Sequence, residues 1–213
     1  MMIRFAVLFC LGGCTVPTPQ SWPLVVDEGF GTAQSLESFT FSDPNIWSWA
    51  DDYGGMMCFA EGSKFKPPFR SPRTYGLLKN AQFDAFVMEA EVRQIGRDYG
   101  HRDLCFFFAY QSPSQYGYVH LATMPDTRAH NIFLVNEAAR VARSPVAKEG
   151  ISWGDVWHKV RLERLTPGGA LQVFFDGELV REAPGEGFGK GQLGFGSFDD
   201  TGCIRRLRVW APN

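Results

Sequence analysis

Phe86-Val87-Met88-Glu89-Ala90-Glu91-Val92-Arg93 is the stretch on which the fold turns. Phe86, Met88, Ala90 and Val92 point one way, and Val87, Glu89, Glu91 and Arg93 the other. That period of two marks a half-buried β-strand. Downstream, residues 104–110 (LCFFFAY) are apolar on both faces, as expected of a central strand covered on each side. Residues 116–122 alternate again, with Gly117, Val119 and Leu121 against Tyr116, Tyr118, His120 and Ala122. Ser112-Pro113-Ser114 between these runs predicts a hairpin. Further strands are predicted at 131–135, 158–165 and 171–175. Asp176-Gly177 is a two-residue hairpin signal leading into Leu179-Val180. Residues 192–198 and 204–210 close the domain, and 24–26 and 38–41 are weaker strand signals near its start. The clearest helical stretch, 136–143, is short and stops before Pro145. Nine or more short strands with turn chemistry between them and no alternating helices predict an all-β fold, a two-sheet antiparallel β-sandwich or jelly roll.

The N-terminus reads differently. Arg4 stands at the start of an apolar run over residues 3–11, followed by Gly12 and Gly13, the layout of a secretory signal. The run is about half the length that a membrane-spanning helix needs. Leu11-Gly12-Gly13-Cys14 resembles a bacterial lipobox, which implies lipidation of Cys14 and removal of residues 1–13. Thr15 after the cysteine implies, by the same resemblance, the outer membrane, with the domain facing the periplasm or the cell surface. Residues 14–23, rich in proline, read as an extended tether, and 24–213 as the domain. Membrane contact is expected through the lipid anchor only.

The chain has 213 residues and a net charge of −2. Its basic residues are scattered, which argues against nucleic acid as a partner. A mature chain of about 200 residues fits one domain. With Cys10 removed and Cys14 lipidated, Cys58, Cys105 and Cys203 remain, so at least one thiol is unpaired. The absence of a C-x-x-C pair argues against a cysteine-built zinc site. Cys105 sits in an apolar run and reads as a small buried hydrophobe.

The strings DAFVMEAEVR, RDLCFFFAYQSPSQYGYVHLA, WHKVRLER, VFFDGELV, GQLGFGSFDDTG and IRRLRVW resemble, in that order, the concanavalin A-like lectin/glucanase jelly rolls, which include laminin-G-like modules, carbohydrate-binding modules and family 16 glycoside hydrolases. The central segment also resembles a group of secreted bacterial proteins from polysaccharide degraders, from which no activity carries over. The resemblance covers most of residues 86–210 and implies the fold; function does not follow from a superfold. The E-x-D-x-x-E string of family 16 hydrolases is absent, and Tyr116-Gly117-Tyr118 is not the Y-F-K-x-G-x-Y strand of alginate-lyase jelly rolls.

What the resemblance implies is a polysaccharide or oligosaccharide groove on the outward face of one sheet. The groups expected to line it are Arg93, Asp103, Tyr116, Tyr118, His120, His130, Asn131 and Arg140. His120 is the best single candidate, with His101 and Tyr118 beside it. In a lyase, Arg93 or Arg140 would neutralise a uronate carboxylate while His120 or Tyr118 exchanged protons with the ring. In a hydrolase, Glu89 and Glu91 would serve as acid and base, their side chains about 6–7 Å apart along a strand. Binding without chemistry is the leading expectation, a lyase or glycoside hydrolase the first alternative, and a structural or adhesion module the second. His158 reads as structural. No cofactor is required, although a structural calcium between the first and last strands would draw on Asp27, Glu28 and Asp199.

Overall fold

Alternation does build this chain. The computed structural model describes residues 22–212 and folds them into fifteen strands joined by turns and three short 3-10 helices. In chain order the strands are β1 (Leu24–Glu28), β2 (Phe39–Phe41), β3 (Trp47–Ala50), β4 (Met56–Phe59), β5 (Thr74–Leu78), β6 (Phe86–Gln94), β7 (Asp103–Ser112) and β8 (Gln115–Ala122). They continue with β9 (Asn131–Asn136), β10 (Val141–Ala142), β11 (His158–Arg164), β12 (Leu171–Phe175), β13 (Glu178–Ala183), β14 (Gln192–Ser197) and β15 (Gly202–Trp210). The predicted secretory signal, Cys14 and all but the end of the predicted tether lie outside the described residues.

Two antiparallel sheets stack face to face, as expected. The first runs β13-β12-β11-β6-β15-β4-β3, with β1 also paired to β15; the second runs β10-β9-β8-β7-β14-β5-β2. Phe86, Met88, Ala90 and Val92 of β6 face Leu104, Phe106 and Phe108 of β7 and Val119 and Leu121 of β8 across a shared buried core. The two predicted hairpins are present, β7 with β8 through Ser112 and Gln115, and β12 with β13 around Asp176-Gly177. Asp176 and Gly177 both take positive φ, 49° and 90°, the backbone that a tight two-residue hairpin requires.

Residues 136–143 are not helical. β9 ends at Asn136, Glu137 turns the chain with φ 50°, and Val141–Ala142 pairs back onto Leu134 and Phe133. Glu137 is held there by tertiary contacts: its N–H donates to the Ser114 carbonyl at 2.8 Å, and Ser114 Oγ donates to its Oε1 at 2.7 Å. Those bonds and the sheet edge outweigh the helix propensity of Ala138 and Ala139.

Candidate functional site

The outward face of the second sheet carries Cys105 and Phe107 from β7, Tyr116 and Tyr118 from β8, Phe133 and Val135 from β9, and Tyr75 from β5. Alternation predicts the orientation of Tyr116 and Tyr118, but not their cover. Phe65 and Phe69, from the connection between β4 and β5, pack over the cluster. Tyr116 is 3% exposed and Tyr118 0%. Burial pushes both hydroxyls above the ordinary tyrosine range. These rings are therefore a second core and offer no open stacking platform.

Beyond that cover the same sheet opens into a cleft of about 650 Å³. His120 and Asp103 lie in it, on the outward face of adjacent strands β8 and β7, together with Phe198, Asp199 and Asp200 from the turn after β14. Arg97, Tyr99 and His101 come from the β6–β7 connection, Asp126 and Arg128 from the β8–β9 connection, and Glu61 and Arg70 from the β4–β5 connection. Arg140, just before β10, closes one wall.

The floor is tightly tied. Ser197 Oγ donates to Asp103 Oδ1, and the Phe198 N–H donates to the same oxygen at 3.2 Å. Asp200 Oδ2 accepts the Asp103 N–H at 2.9 Å and the Tyr99 hydroxyl at 3.0 Å. Burial, reinforced by the charge of Asp103, pushes the Asp200 carboxyl up to about 6. His120 Nε2 touches Asp103 Oδ2 without the alignment of a hydrogen bond, and its buried Nδ1 has no hydrogen-bond partner among the described residues. The His120 ring stacks on Phe198 with centroids 5.8 Å apart. Arg140 is fixed from two sides, donating to the Tyr118 hydroxyl at 2.7 Å and to the Arg128 carbonyl at 2.9 Å. Its guanidinium lies over the rings of Phe133 and Phe198, 4.7 and 4.9 Å from their centroids.

The fold thus gathers His101, Asp103, His120 and Arg140, with Tyr118 beneath Arg140. It separates the others. Glu89, Glu91 and Arg93 face outward from β6 in the opposite sheet, so no groove joins them to Tyr116, Tyr118 and His120. Glu89 accepts hydrogen bonds from Arg161 at 2.7 Å and Arg208 at 3.0 Å, Glu91 accepts one from Arg205 at 2.7 Å, and Arg93 is paired with Asp155 at 2.7 Å. Neutralised in this way, the two glutamates have the surroundings of a surface ion-pair network. His130 and Asn131 are buried and do not line the cleft. The Ala122 N–H donates to His130 Nδ1 at 3.4 Å, and burial holds the imidazole down at about 4. Asn131 is engaged with the backbone of Ser144, donating to its carbonyl at 2.9 Å and accepting its N–H at 3.1 Å. His158 is structural as expected, between Asp176 at 2.7 Å and the Trp153 carbonyl at 2.5 Å.

The three residues named for calcium do not meet. Asp27 pairs with Arg206 at 3.1 Å, and Glu28 accepts the Phe30 N–H and the Ser35 hydroxyl. Glu28 stands opposite Leu207 on β15, whereas Asp199 precedes that strand's other end. A different set of metal-ligating groups does converge. Asp103, Cys105 and His120 each place a donor atom within 4.8 Å of the others, all buried. Oxygen, sulfur and nitrogen donors together suit a borderline ion such as zinc rather than calcium. Burial holds the Cys105 thiol well above its ordinary range, so such an ion would have to displace a firmly held proton.

Arg70, Arg97, Arg128, Tyr99 and Phe198 were not singled out from the sequence. They are spread over four connections with no periodic pattern, and only the density of charge in Arg97-Asp98-Tyr99-Gly100-His101-Arg102-Asp103 signals a functional loop.

No protein-family model matches the chain, and no curated protein matches it in sequence. Solved structures match its shape. Carbohydrate binding module CBM66 from Bacillus subtilis superposes with a TM-score of 0.59 at 15% identity, over 82% of this chain and 96% of that one. A Bacillus subtilis protein of unknown function with a galectin-like fold also gives 0.59, at 12% identity, over 89% and 97%. The endo-β-1,3-glucanase of Pyrococcus furiosus gives 0.56 at 11% identity, over 89% and 94%. At these identities the likeness concerns the fold alone, a two-sheet antiparallel β-sandwich.

Proposed function

We propose that this chain is an exported lipoprotein, held to the outer membrane through Cys14, whose jelly roll binds a polysaccharide or oligosaccharide in the end cleft. The observation that carries this reading is the cleft itself. About 650 Å³ of concave space around the Phe198 ring is lined by donors and acceptors, of which Asp103, Asp200, Tyr99 and Arg140 are fixed by hydrogen bonds. That combination of volume, an apolar surface and a few oriented polar groups suits a hydroxyl-rich ligand. Neighbours of like shape named as a carbohydrate binding module and a glucanase support a saccharide as that ligand. A compact cleft, in place of an open aromatic strip, favours gripping a chain end or a short segment.

A catalytic reading is kept because of one feature. His120 and Asp103 share the floor with Asp200, whose carboxyl at about 6 holds its proton under mildly acidic conditions. The test is incubation of the purified protein with plant and algal polysaccharides, following absorbance near 235 nm for unsaturated uronates and the reducing-end yield. Product formation abolished in His120→Ala would establish an enzyme. Silence in both assays, with retarded migration in polysaccharide affinity gels, would establish binding alone, and silence in all three would remove the saccharide reading. For the anchor, Cys14→Ser should move the exported protein out of the membrane fraction; retention there would defeat lipidation as its tether.

A further inference from the structure

The fourteen arginines among the described residues differ in their partners. Eight of them, Arg93, Arg102, Arg143, Arg161, Arg164, Arg205, Arg206 and Arg208, stand within ion-pair distance of a carboxylate. Six form no ion pair among the described residues: Arg73 and Arg181 outside the cleft, and Arg70, Arg97, Arg128 and Arg140, which line it together. Carboxylates are nevertheless close by. Asp103 is taken up by Ser197, the Phe198 N–H and His120, Asp200 by Tyr99 and the Asp103 N–H, and Asp126 by the Arg128 N–H at 2.5 Å. Glu61 and Asp199 also line the cleft, as exposed groups.

Three of the four guanidiniums lie over aromatic rings instead. Arg140 and Arg70 are 4.9 and 5.8 Å from the Phe198 centroid, and Arg97 is 4.6 Å from that of Tyr99. Rings stabilise a guanidinium without neutralising it. Arg140 is half-buried and anchored by Tyr118 and the Arg128 carbonyl, so its orientation is set before any ligand arrives. A pre-oriented planar fork with unspent N–H groups matches the two oxygens of a carboxylate or sulfate.

We infer that the cleft selects an acidic saccharide, one carrying a uronate carboxylate or a sulfate ester, and that Arg140 receives the acidic group while Arg70, Arg97 and Arg128 surround it. This rests on the reading of the cleft as a saccharide site and adds the ligand's charge.

The experiment measures affinity by calorimetry for the full chain against four matched ligand classes: oligouronates, their methyl esters, sulfated galactan oligomers, and the same oligomers desulfated. At low salt, at least one acidic class should bind ten-fold or more tightly than its neutral counterpart. The advantage should shrink on addition of 0.5 M NaCl. Which acidic class shows it distinguishes carboxylate from sulfate. Arg140→Gln should remove ten-fold or more of the acidic affinity. Arg97→Gln and Arg128→Gln, at exposed positions where folding is not at stake, should each remove about three-fold. Equal affinity for acidic and neutral ligands would overturn the inference and leave saccharide binding standing. So would acidic affinity unchanged in the two exposed variants. No binding of any of the four classes would overturn both.

Discussion

Asp200 and His130 are both buried and titrate in opposite senses. The folded chain holds the Asp200 carboxyl at about 6, against 3.8 for an ordinary aspartate, because burial and the charge of Asp103 both disfavour ionisation. Between those two values the native state binds a proton that the unfolded chain has released. Stability from this group is therefore present at low pH and is lost as pH rises through about 6. His130 falls from 6.5 to about 4 by burial, aided by the charges of Arg181 and His120. Here the unfolded chain takes up the proton first, so stability is lost as pH falls below 6.5. The two slopes oppose each other between pH 4 and 6. Asp200→Asn removes one and leaves the other, since an amide oxygen can still accept from Tyr99 and the Asp103 N–H. Relative to the parent, the variant should gain about 2–3 kcal/mol between pH 4 and pH 7. Thermal melts at closely spaced pH values would show this as diverging curves, and parallel curves would rule out Asp200 as the titrating group.

β7 and β8 show what a single strand pair must satisfy at once, with the inter-sheet core on one face and the covered tyrosine cluster on the other. Gly117 meets the first demand. A Cβ there would sit 2.5 Å from the Phe108 ring, so the ring occupies the space that a side chain would need. Gly117→Ala should cost about 1–3 kcal/mol, the usual penalty for overpacking, read as a lower denaturant midpoint; an unchanged midpoint would mean that the ring has room to move. This level of detail separates what was legible in the sequence from what was not. Alternation in β6 and β8 assigns every side chain to its correct face, because period two is a local property of the backbone. β3, β4 and β5 are missed. β5 is buried at every position and β3 and β4 have four residues each, so none presents a readable alternation. The site follows the same division. His120, Asp103, His101 and Arg140 are legible as polar groups on or beside one strand pair. The cover by Phe65 and Phe69 and the wall formed by Arg70, Arg97 and Arg128 depend on where connections fall in space. Glu89, Glu91 and Arg93 are assigned to the correct face of their strand but to the wrong sheet, since strand order across two sheets has no local signature.

At the scale of the molecule, Cys58 and Cys203 form a disulfide between register partners on β4 and β15, which leaves Cys105 as the buried free thiol among the described cysteines. The bridge joins positions 145 residues apart, so by chain entropy it restricts the unfolded state by up to about 5 kcal/mol, with about 2–4 kcal/mol the usual return. Its place in the fold gives it a second consequence. Cys58 lies shortly before Glu61 and Gly62, Cys203 shortly after Asp199 and Asp200, and all four of those residues line the cleft. The Glu61 N–H donates to Thr201 Oγ1 at 3.2 Å, completing a clamp between the two segments. The oxidising compartment that the proposed export would provide supplies the conditions under which this bridge forms. The double variant Cys58→Ala/Cys203→Ala should therefore lose about 2–5 kcal/mol in guanidinium unfolding. It should also bind ligand several-fold more weakly at temperatures where it remains fully folded, because the cleft walls lose their covalent tie. A fall in stability with affinity untouched would make the bridge a fastener of the fold alone. A fall in both, with the core spectroscopically native, would show that the disulfide also holds the cleft in the geometry that its arginines require.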